Sequence, residues 1–429
     1  MIAAGVILVF TYVGIAFTRL PRVNIDRPAA ALTGAVLMIL AGVLTFQEAV
    51  SAIDFNTLAL LFGMMCLVAV LKRGGFFTLL AARSLAVAHT PPRLMVTVVL
   101  ATSVCSAILV NDVVVLLFTP VVIQACRTQR VNPVPYLIAE AMASNIGSTA
   151  TIVGNPQNML IGVTSGVSFA RFFAHLAPVA FVATLILLLV VWGLYRNRIA
   201  QPPLPPPQQP RGLATDGAIP DPLAAATPVD CGLLLRSIPV LVVATVAFFV
   251  SSSLGLSIPM IALTAGVAAI VVSGIKPSDV MRDVDWVLLA FFGGLFVVIG
   301  GARQAGLLDA TLDHVNLAAT AWGIASLHLF SGAVSQLVSN VPLTLLLLPL
   351  LEPIPGDTLW LSLAAGATLG GNATLIGAVA NIIVAEQAYR HGVVVGFWEF
   401  CKVGLVVTTL TVGASIGILI LELELGLLR

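Results

Sequence analysis

Two stretches of this 429-residue chain gather small and amide-bearing residues inside otherwise apolar sequence. The first runs from Ser144 to Asn158 through Asn145, Gly147, Ser148, Thr149, Thr151, Gly154 and Pro156. The second runs from Gly366 to Asn381 through Thr368, Gly370, Gly371, Asn372, Thr374 and Gly377. Thr151, Gly154 and Asn158 recur at the same spacing as Thr374, Gly377 and Asn381. Glycines allow a helix to unwind in mid-membrane, which frees carbonyls to coordinate a desolvated cation while Ser, Thr and Asn oxygens complete its shell. Half-helices that start at the break aim positive dipole ends at the same place, which favours an anion. A cation position beside an anion position is the chemistry of coupled transport. The competing reading, in which small residues serve close packing and hydroxyls bond the preceding turn, fits one such stretch better than two matched copies.

Each stretch follows a shorter polar interruption. Val110, Asn111 and Asp112 sit within the apolar segment 94 to 125, and Ser339, Asn340 and Val341 within 322 to 351. Polar tips at mid-depth are tolerated where backbone is buried in protein or lines a cavity, so both segments read as re-entrant hairpins. Asp112 is the carboxylate placed at mid-depth, and an intramembrane acid is a functional candidate because its ionised form is costly in lipid. Glu140 and Glu386 read as solvated near span ends, Asp54 and Asp285 as N-terminal helix caps, and Lys72 and Arg303 as snorkelling side chains.

The elements that must hold these residues follow from composition. With 59% hydrophobic and 9% charged residues, the solvent for most of the chain is lipid. A net charge of +1, with basic residues scattered, argues against a nucleic-acid partner. The five cysteines, Cys66, Cys105, Cys126, Cys231 and Cys401, are far apart and read as packing residues rather than disulfides or a metal site. The expected spans lie near 2 to 18, 28 to 46, 55 to 71, 137 to 165 and 172 to 195, then 234 to 252, 259 to 275, 285 to 302, 358 to 389 and 397 to 424. Residues 2 to 18 read as a first span rather than a secretion signal. Between the two sets, 196 to 233 is polar and proline-rich, an exposed semi-rigid linker.

The two sets read as copies. At an offset of 231, Pro28, Leu32, Thr33, Asp54, Gly63, Lys72 and Gly75 meet Pro259, Leu263, Thr264, Asp285, Gly294, Arg303 and Gly306. At an offset of 229, Ser106, Asn111 and Pro120 meet Ser335, Asn340 and Pro349. The expected domains are a first repeat over 1–195, a cytoplasmic linker over 196–233 and a second repeat over 234–429. Five spans per repeat is an odd number, so the second copy enters the membrane upside down. With both termini outside the cell inner membrane, only Arg171, Arg303 and Arg429 of the 20 basic residues face outward, which leaves 17, including Arg19 and Arg22, on the cytoplasmic side. The expected fold is an all-α membrane protein of two inverted repeats of five transmembrane helices, each with a re-entrant hairpin and a broken helix.

The hairpin tips and broken spans, above all Thr151, Gly154, Pro156 and Asn158, resemble the ion transporter superfamily of divalent-anion/sodium symporters, arsenite permeases and sodium/proton antiporters. The resemblance covers nearly the whole chain outside the linker. It implies an elevator-type carrier, usually a homodimer, that moves a small anion coupled to sodium or protons. It places a first cation site among Asn111, Asp112, Asn145, Gly147, Ser148 and Thr149, and a second among Ser339, Asn340, Gly370, Gly371 and Asn372. Substrate contacts are expected at Asn111, Thr149, Thr151, Asn340, Asn372 and Thr374. The tips depart from the Ser-Asn-Thr triplet of the symporters, which leaves dicarboxylate, arsenite, sulfate and other anions open. A sodium/proton antiporter using Asp112 and a passive anion channel are the alternatives. No cofactor beyond sodium ions is expected. The histidines, His89, His175, His314, His328 and His391, are isolated in sequence, and no nucleophile and base pair is apparent, so no enzyme is expected.

Overall fold

The computed structural model describes residues 1–16, 26–197, 229–307 and 317–428. Arg19, Arg22, His314, Arg429 and most of the proline-rich linker lie outside the described residues. Among these residues every regular element is helical, and eight helices are long and apolar enough to cross a membrane.

The first copy opens with α1 (Ile2–Ala16), α2 (Arg27–Leu40), a short α3 (Phe46–Ser51), α4 (Phe55–Arg73) and α5 (Phe76–Val87). A hairpin of α6 (Pro91–Ile108) and α7 (Asn111–Thr128) follows. The first broken span is α8 (Val134–Ser148) and α9 (Pro156–Ser165), separated by a 3-10 turn at Ile152–Gly154, and α10 (Phe169–Tyr195) closes the copy. The second copy repeats the order: α11 (Cys231–Leu254), α12 (Ile258–Ser273), α13 (Pro277–Arg282) and α14 (Trp286–Gln304). Its hairpin is α15 (Ala321–Val338) and α16 (Asn340–Leu351), its broken span α17 (Thr358–Gly370) and α18 (Val379–Arg390), and its last helix α19 (Phe397–Glu424). The expected spans over 137 to 165 and 358 to 389 are thus each two half-helices. Asp54 caps α4 by accepting from the Asn56 and Thr57 amides, and Asp285 caps α14 by accepting from Leu288. The short α3 carried a legible signal, the Thr45-x-x-Glu48 capping box, whose bonds both form.

Polar contacts sort into two faces. On one, Asp283 pairs with Lys72 Nζ at 3.2 Å and Arg73 Nε at 2.6 Å, and Arg127 donates to the His391 carbonyl at 2.6 Å. On the other, Gln304 donates to Glu48 at 2.8 Å, Arg303 pairs with Glu352 at 2.9 Å, and Arg171 pairs with Asp357. Helix α4, about 28 Å long at 1.5 Å per residue, runs from the Glu48 face to the Asp283 face, and α14 runs back, so the copies are inverted. Lys72 and Arg303 also pair at their head groups, because each helix ends beside a carboxylate of another element.

The central crossings repeat the symmetry in atomic detail. Helix α4 packs on α12, and α14 on α2. A Cβ added at Gly63 would overlap the Ala262 carbonyl, and one added at Gly294 would stand 2.9 Å from the carbonyl carbon of Ala31. Both pairs are related by the 231 offset. Small residues permit this backbone approach, where helices gain packing that lipid cannot supply. Hairpins lie against broken spans in the same paired manner, α6 on α8 and α15 on α17.

Two expectations are corrected here. Glu140 is fully buried rather than solvated: it lies in mid-α8 against α7, where Thr119 Oγ1 donates to it at 3.1 Å and its other oxygen has no partner. Two of the histidines are not isolated, because helices distant in sequence bring partners to them. His328 is buried between the Ser415 and Ser362 hydroxyls, at 2.9 and 2.7 Å, and His175 pairs with Glu422 at 2.9 Å. Four cysteines are buried, while Cys231 at the start of α11 is exposed.

Candidate functional site

The chain breaks place four half-helix N-termini around one cavity of about 550 Å³: those of α7 at Asn111, α9 at Pro156, α16 at Asn340 and α18 at Val379. The unpaired N–H groups of each first turn carry partial positive charge. Arg27, at the start of α2, also borders the cavity, and its Nη1 lies 3.4 Å from Ser339 Oγ. Four carboxylates, Asp26, Asp112, Asp285 and Glu386, complete the polar lining, and Val287, Leu288, Phe291, Ile382 and Ile383 supply the apolar walls. Asp112 sits at the second residue of α7, and no described hydrogen bond reaches it. Asp26 and Asp285 are caps at the starts of α2 and α14 on the Asp283 face, so the cavity approaches the protein surface there.

Asparagines join the two copies beneath this cavity. Asn111 Nδ2 donates to Asn145 Oδ1 at 3.2 Å, and Asn145 Nδ2 donates to Asn372 Oδ1 at 2.9 Å and Asn381 Oδ1 at 3.0 Å. Asn111 Oδ1 is buried without a partner, as is Asn372 Nδ2. Asn158 donates to the Ser148 and Thr151 carbonyls at 3.0 Å each, and Asn381 repeats this to Gly371 and Thr374 at 2.8 and 3.0 Å. These amides satisfy carbonyls that the unwound backbone leaves open, which is necessary where no water reaches. The tips differ in backbone. Ser339 adopts φ 70°, a left-handed value that a side chain disfavours, whereas Val110 is extended at φ −63°.

Of the residues singled out from sequence, Asn111, Asp112, Asn145, Ser339 and Asn340 border the cavity. Ser148 and Thr149 hydroxyls donate to the Asn145 carbonyl, at 2.8 and 3.1 Å. Thr151 Oγ1 donates to the Ala107 carbonyl at 2.6 Å and Thr374 Oγ1 to Gln336 Oε1 at 2.9 Å, which pins each break to its own hairpin. Gly147 and Gly370 are contact points: a Cβ at the first would overlap Ser103 backbone, and one at the second Gly332 backbone. Their glycine identity is thus explained by hairpin approach rather than by unwinding, since neither has a left-handed φ. Gly371 approaches the Asn340 amide, and Asn372 meets Asn145 beneath the cavity. Arg27, Asp26 and Gln157 were missed. Arg27 read only as a topology marker, and Gln157 is a single amide beside more conspicuous glycines; the Pro28 and Pro156 that open α2 and α9 were the available signals.

An α-helical chain with paired hairpins and broken spans around a polar intramembrane cavity is a membrane transporter. It belongs to the citrate transporter family (CitMHS), which matches residues 12–356. Relatives include an uncharacterized transporter of Mycobacterium bovis, 32% identical with 96% of each chain covered. The silicon efflux transporter LSI3 of Oryza sativa subsp. japonica is 30% identical with 91% of each covered. In fold the chain is similar to the YdaH transporter of Alcanivorax borkumensis, whose crystal structure has an unusual topology, with a TM-score of 0.60 over 99% of this chain and 98% of that one at 14% identity.

Proposed function

We propose that this protein is a secondary active carrier of a small oxygen-rich anion, coupled to sodium or protons. The observation that carries the reading is the convergence of four half-helix N-termini and Arg27 on one cavity. Preorganised N–H dipoles and a guanidinium favour a carboxylate or oxyanion there, and apolar walls keep water from competing. The family description supports citrate as a member of this class, and the rice relative is by its name a silicon efflux transporter. The unpartnered Asn111 Oδ1 beside Asn145 supports a cation position at the first tip, with Asp112 one residue away to hold positive charge or a proton.

The chain divides in this reading into repeats 1–195 and 234–429 and a cytoplasmic linker 196–233. It sits in the cell inner membrane as a homodimer with both termini outside. The cavity mouth then faces the cytoplasm, and the hairpins with their broken spans move against α1, α2, α4, α11, α12 and α14 as an elevator. A cysteine placed at position 214 in a Cys231→Ser background stays unlabelled by an impermeant thiol reagent in intact cells; labelling overturns the orientation.

The four carboxylates favour one second reading, a sodium/proton antiporter centred on Asp112. Uptake of labelled citrate, other carboxylates, sulfate, arsenite and silicate into proteoliposomes, with and without sodium and proton gradients, separates the two. The carrier reading expects saturable uptake with counterflow that Arg27→Gln weakens at least tenfold in affinity. Sodium/proton exchange without anion uptake, unaffected by Arg27→Gln, supports the antiporter, and conductance without counterflow indicates a channel. Asp112→Asn removes proton dependence if Asp112 carries the proton, and only lowers sodium affinity if it supports a sodium site.

A further inference from the structure

Away from the polar cavity, a second hollow of about 580 Å³ runs between α11 and α12. Small residues make it a furrow: Ala244 and Ala265 are buried in its floor, and Ala247 and Ala268 are half-buried along it. It extends from Arg236 to Ala247 on α11 and from Met260 to Val272 on α12, about 17 Å on either helix at 1.5 Å per residue. Apart from Arg236 and Thr264, every side chain lining it is apolar. The Asp230 amide, just before α11, donates to the Gly74 carbonyl at the end of α4 at 3.1 Å, so the Arg236 end of the furrow lies toward the Asp283 face.

Arg236 is the only charged residue on either helix. It is exposed, and no described hydrogen bond or ion pair reaches its guanidinium. Lys276, three residues past the end of α12, adds a second exposed cation at the same end. The described carboxylates nearby are engaged: Asp230 accepts from the Leu233 amide, Asp279 pairs with Arg282, and Asp283 with Lys72 and Arg73. A charge on a lipid-facing wall is costly without a counter-ion, and the guanidinium fork matches the oxygens of a phosphate. A phosphate at one end of an apolar furrow and hydrocarbon along the rest is the chemistry of a phospholipid. A second copy of this chain fits worse. A two-fold axis along the membrane normal makes a self-complementary contact, which would bring another Arg236 and Lys276 to the same depth at one seam, where like charges repel.

We infer that the furrow between α11 and α12 binds an anionic phospholipid from the leaflet on the Asp283 face, with its phosphate on Arg236 and an acyl chain along Ala247 and Ala268. An anionic headgroup is preferred to a zwitterionic one, whose ammonium would be brought up to Arg236 and Lys276. The inference depends neither on which anion the polar cavity carries nor on which face is cytoplasmic.

The test is native mass spectrometry of the purified, delipidated full-length protein, titrated with dioleoyl phosphatidylglycerol or with dioleoyl phosphatidylcholine, which share their acyl chains. The first phosphatidylglycerol is expected to bind wild type about tenfold more tightly than the first phosphatidylcholine. Arg236→Gln should bring the two lipids level, and Ala268→Leu, which fills the furrow and leaves the charge, should weaken both. Arg282→Gln makes the same charge change on the same face away from the furrow and should keep the preference. Inorganic phosphate should not displace the lipid, since it has no chain to bury. Equal affinity of wild type for the two lipids, or a preference that survives Arg236→Gln, overturns the inference. Loss of the preference in Arg282→Gln as well would make it a property of the whole face and overturns the inference likewise. A change from dimer to monomer in Ala268→Leu with lipid binding intact would assign the furrow to a second copy instead. The wild-type preference and Arg236→Gln, which removes an exposed side chain, decide even if Ala268→Leu does not fold.

Discussion

The membrane-crossing helices of the two copies have kept their symmetry, and the two tips have lost it. Gly63 on Ala262 and Gly294 on Ala31 are the same contact made twice, residue for residue. At the centre, Asn111 meets Asn145, whereas its counterpart Asn340 meets Gln157, and the acid Asp112 is opposed by Val341. Packing of backbone on backbone has few solutions, so both copies retain it. A binding site tolerates, and its selectivity demands, a difference between halves.

The largest effect is therefore expected where symmetry is strictest. Gly63→Val should abolish folded protein, because the new side chain must enter Ala262 backbone rather than a flexible side chain, and overpacking at such a point exceeds about 3 kcal/mol. Gly294→Val should do nearly as much. Gly293, where an added Cβ meets nothing within 4 Å, should accept alanine without loss. The check is the yield of monodisperse protein in detergent and its midpoint of thermal unfolding. Survival of Gly63→Val at the level of Gly293→Ala would show that the crossings are not the rigid part.

A smaller and unequal effect is expected at the centre. Asn145→Ala removes the partner of Asn111 Nδ2 and the donor to Asn372 and Asn381 together, and each buried group left unpaired costs about 1–3 kcal/mol. A loss of roughly 3 kcal/mol or more follows. The counterpart change Thr368→Ala should cost about 1 kcal/mol, because Asn155 Nδ2 retains Ser148 Oγ at 3.0 Å and Gln157 retains Asn340. Equal losses in the two variants, read from denaturation in detergent, would erase the claimed asymmetry.

Much of this was legible before any coordinates. Period and length gave the spans, matched prolines and glycines gave the repeat, and the hairpins appeared within three residues of their observed ends. The tip residues Asn111, Asp112 and Asn340 were also legible, because polar residues stand out in an apolar background. What stayed hidden depends on partners distant in sequence. Arg27 lies over 300 residues from Ser339, and Gln157 over 200 from Thr368, and the adjacent Pro28 and Pro156 mark helix starts without saying what those starts face. Glycine was misleading for a related reason: a residue that permits unwinding and one that permits close approach look alike until the neighbour is known.

The smallest expected effect is that of a double change at Glu140 and Thr119, which the first copy buries between α7 and α8. The offsets place Leu363 and Leu348 at these positions in the second copy, both buried. One copy therefore solves the same hairpin contact with a hydrogen-bonded acid and the other with two leucines. Thr119→Leu alone takes away the sole described partner of a carboxyl group whose second oxygen is already unpaired, and should cost about 1–3 kcal/mol. Glu140→Leu alone should cost less, since the threonine hydroxyl left behind can turn to the carbonyl one helical turn earlier. The double change copies the second repeat, and replacing a buried polar pair by well-packed apolar groups is often neutral or stabilising. A double variant as stable as wild type, with transport retained, would make the acid a structural remnant of divergence. A double variant that folds normally but loses transport would place Glu140 in the working machinery of the first copy and extend the asymmetry beyond the tips.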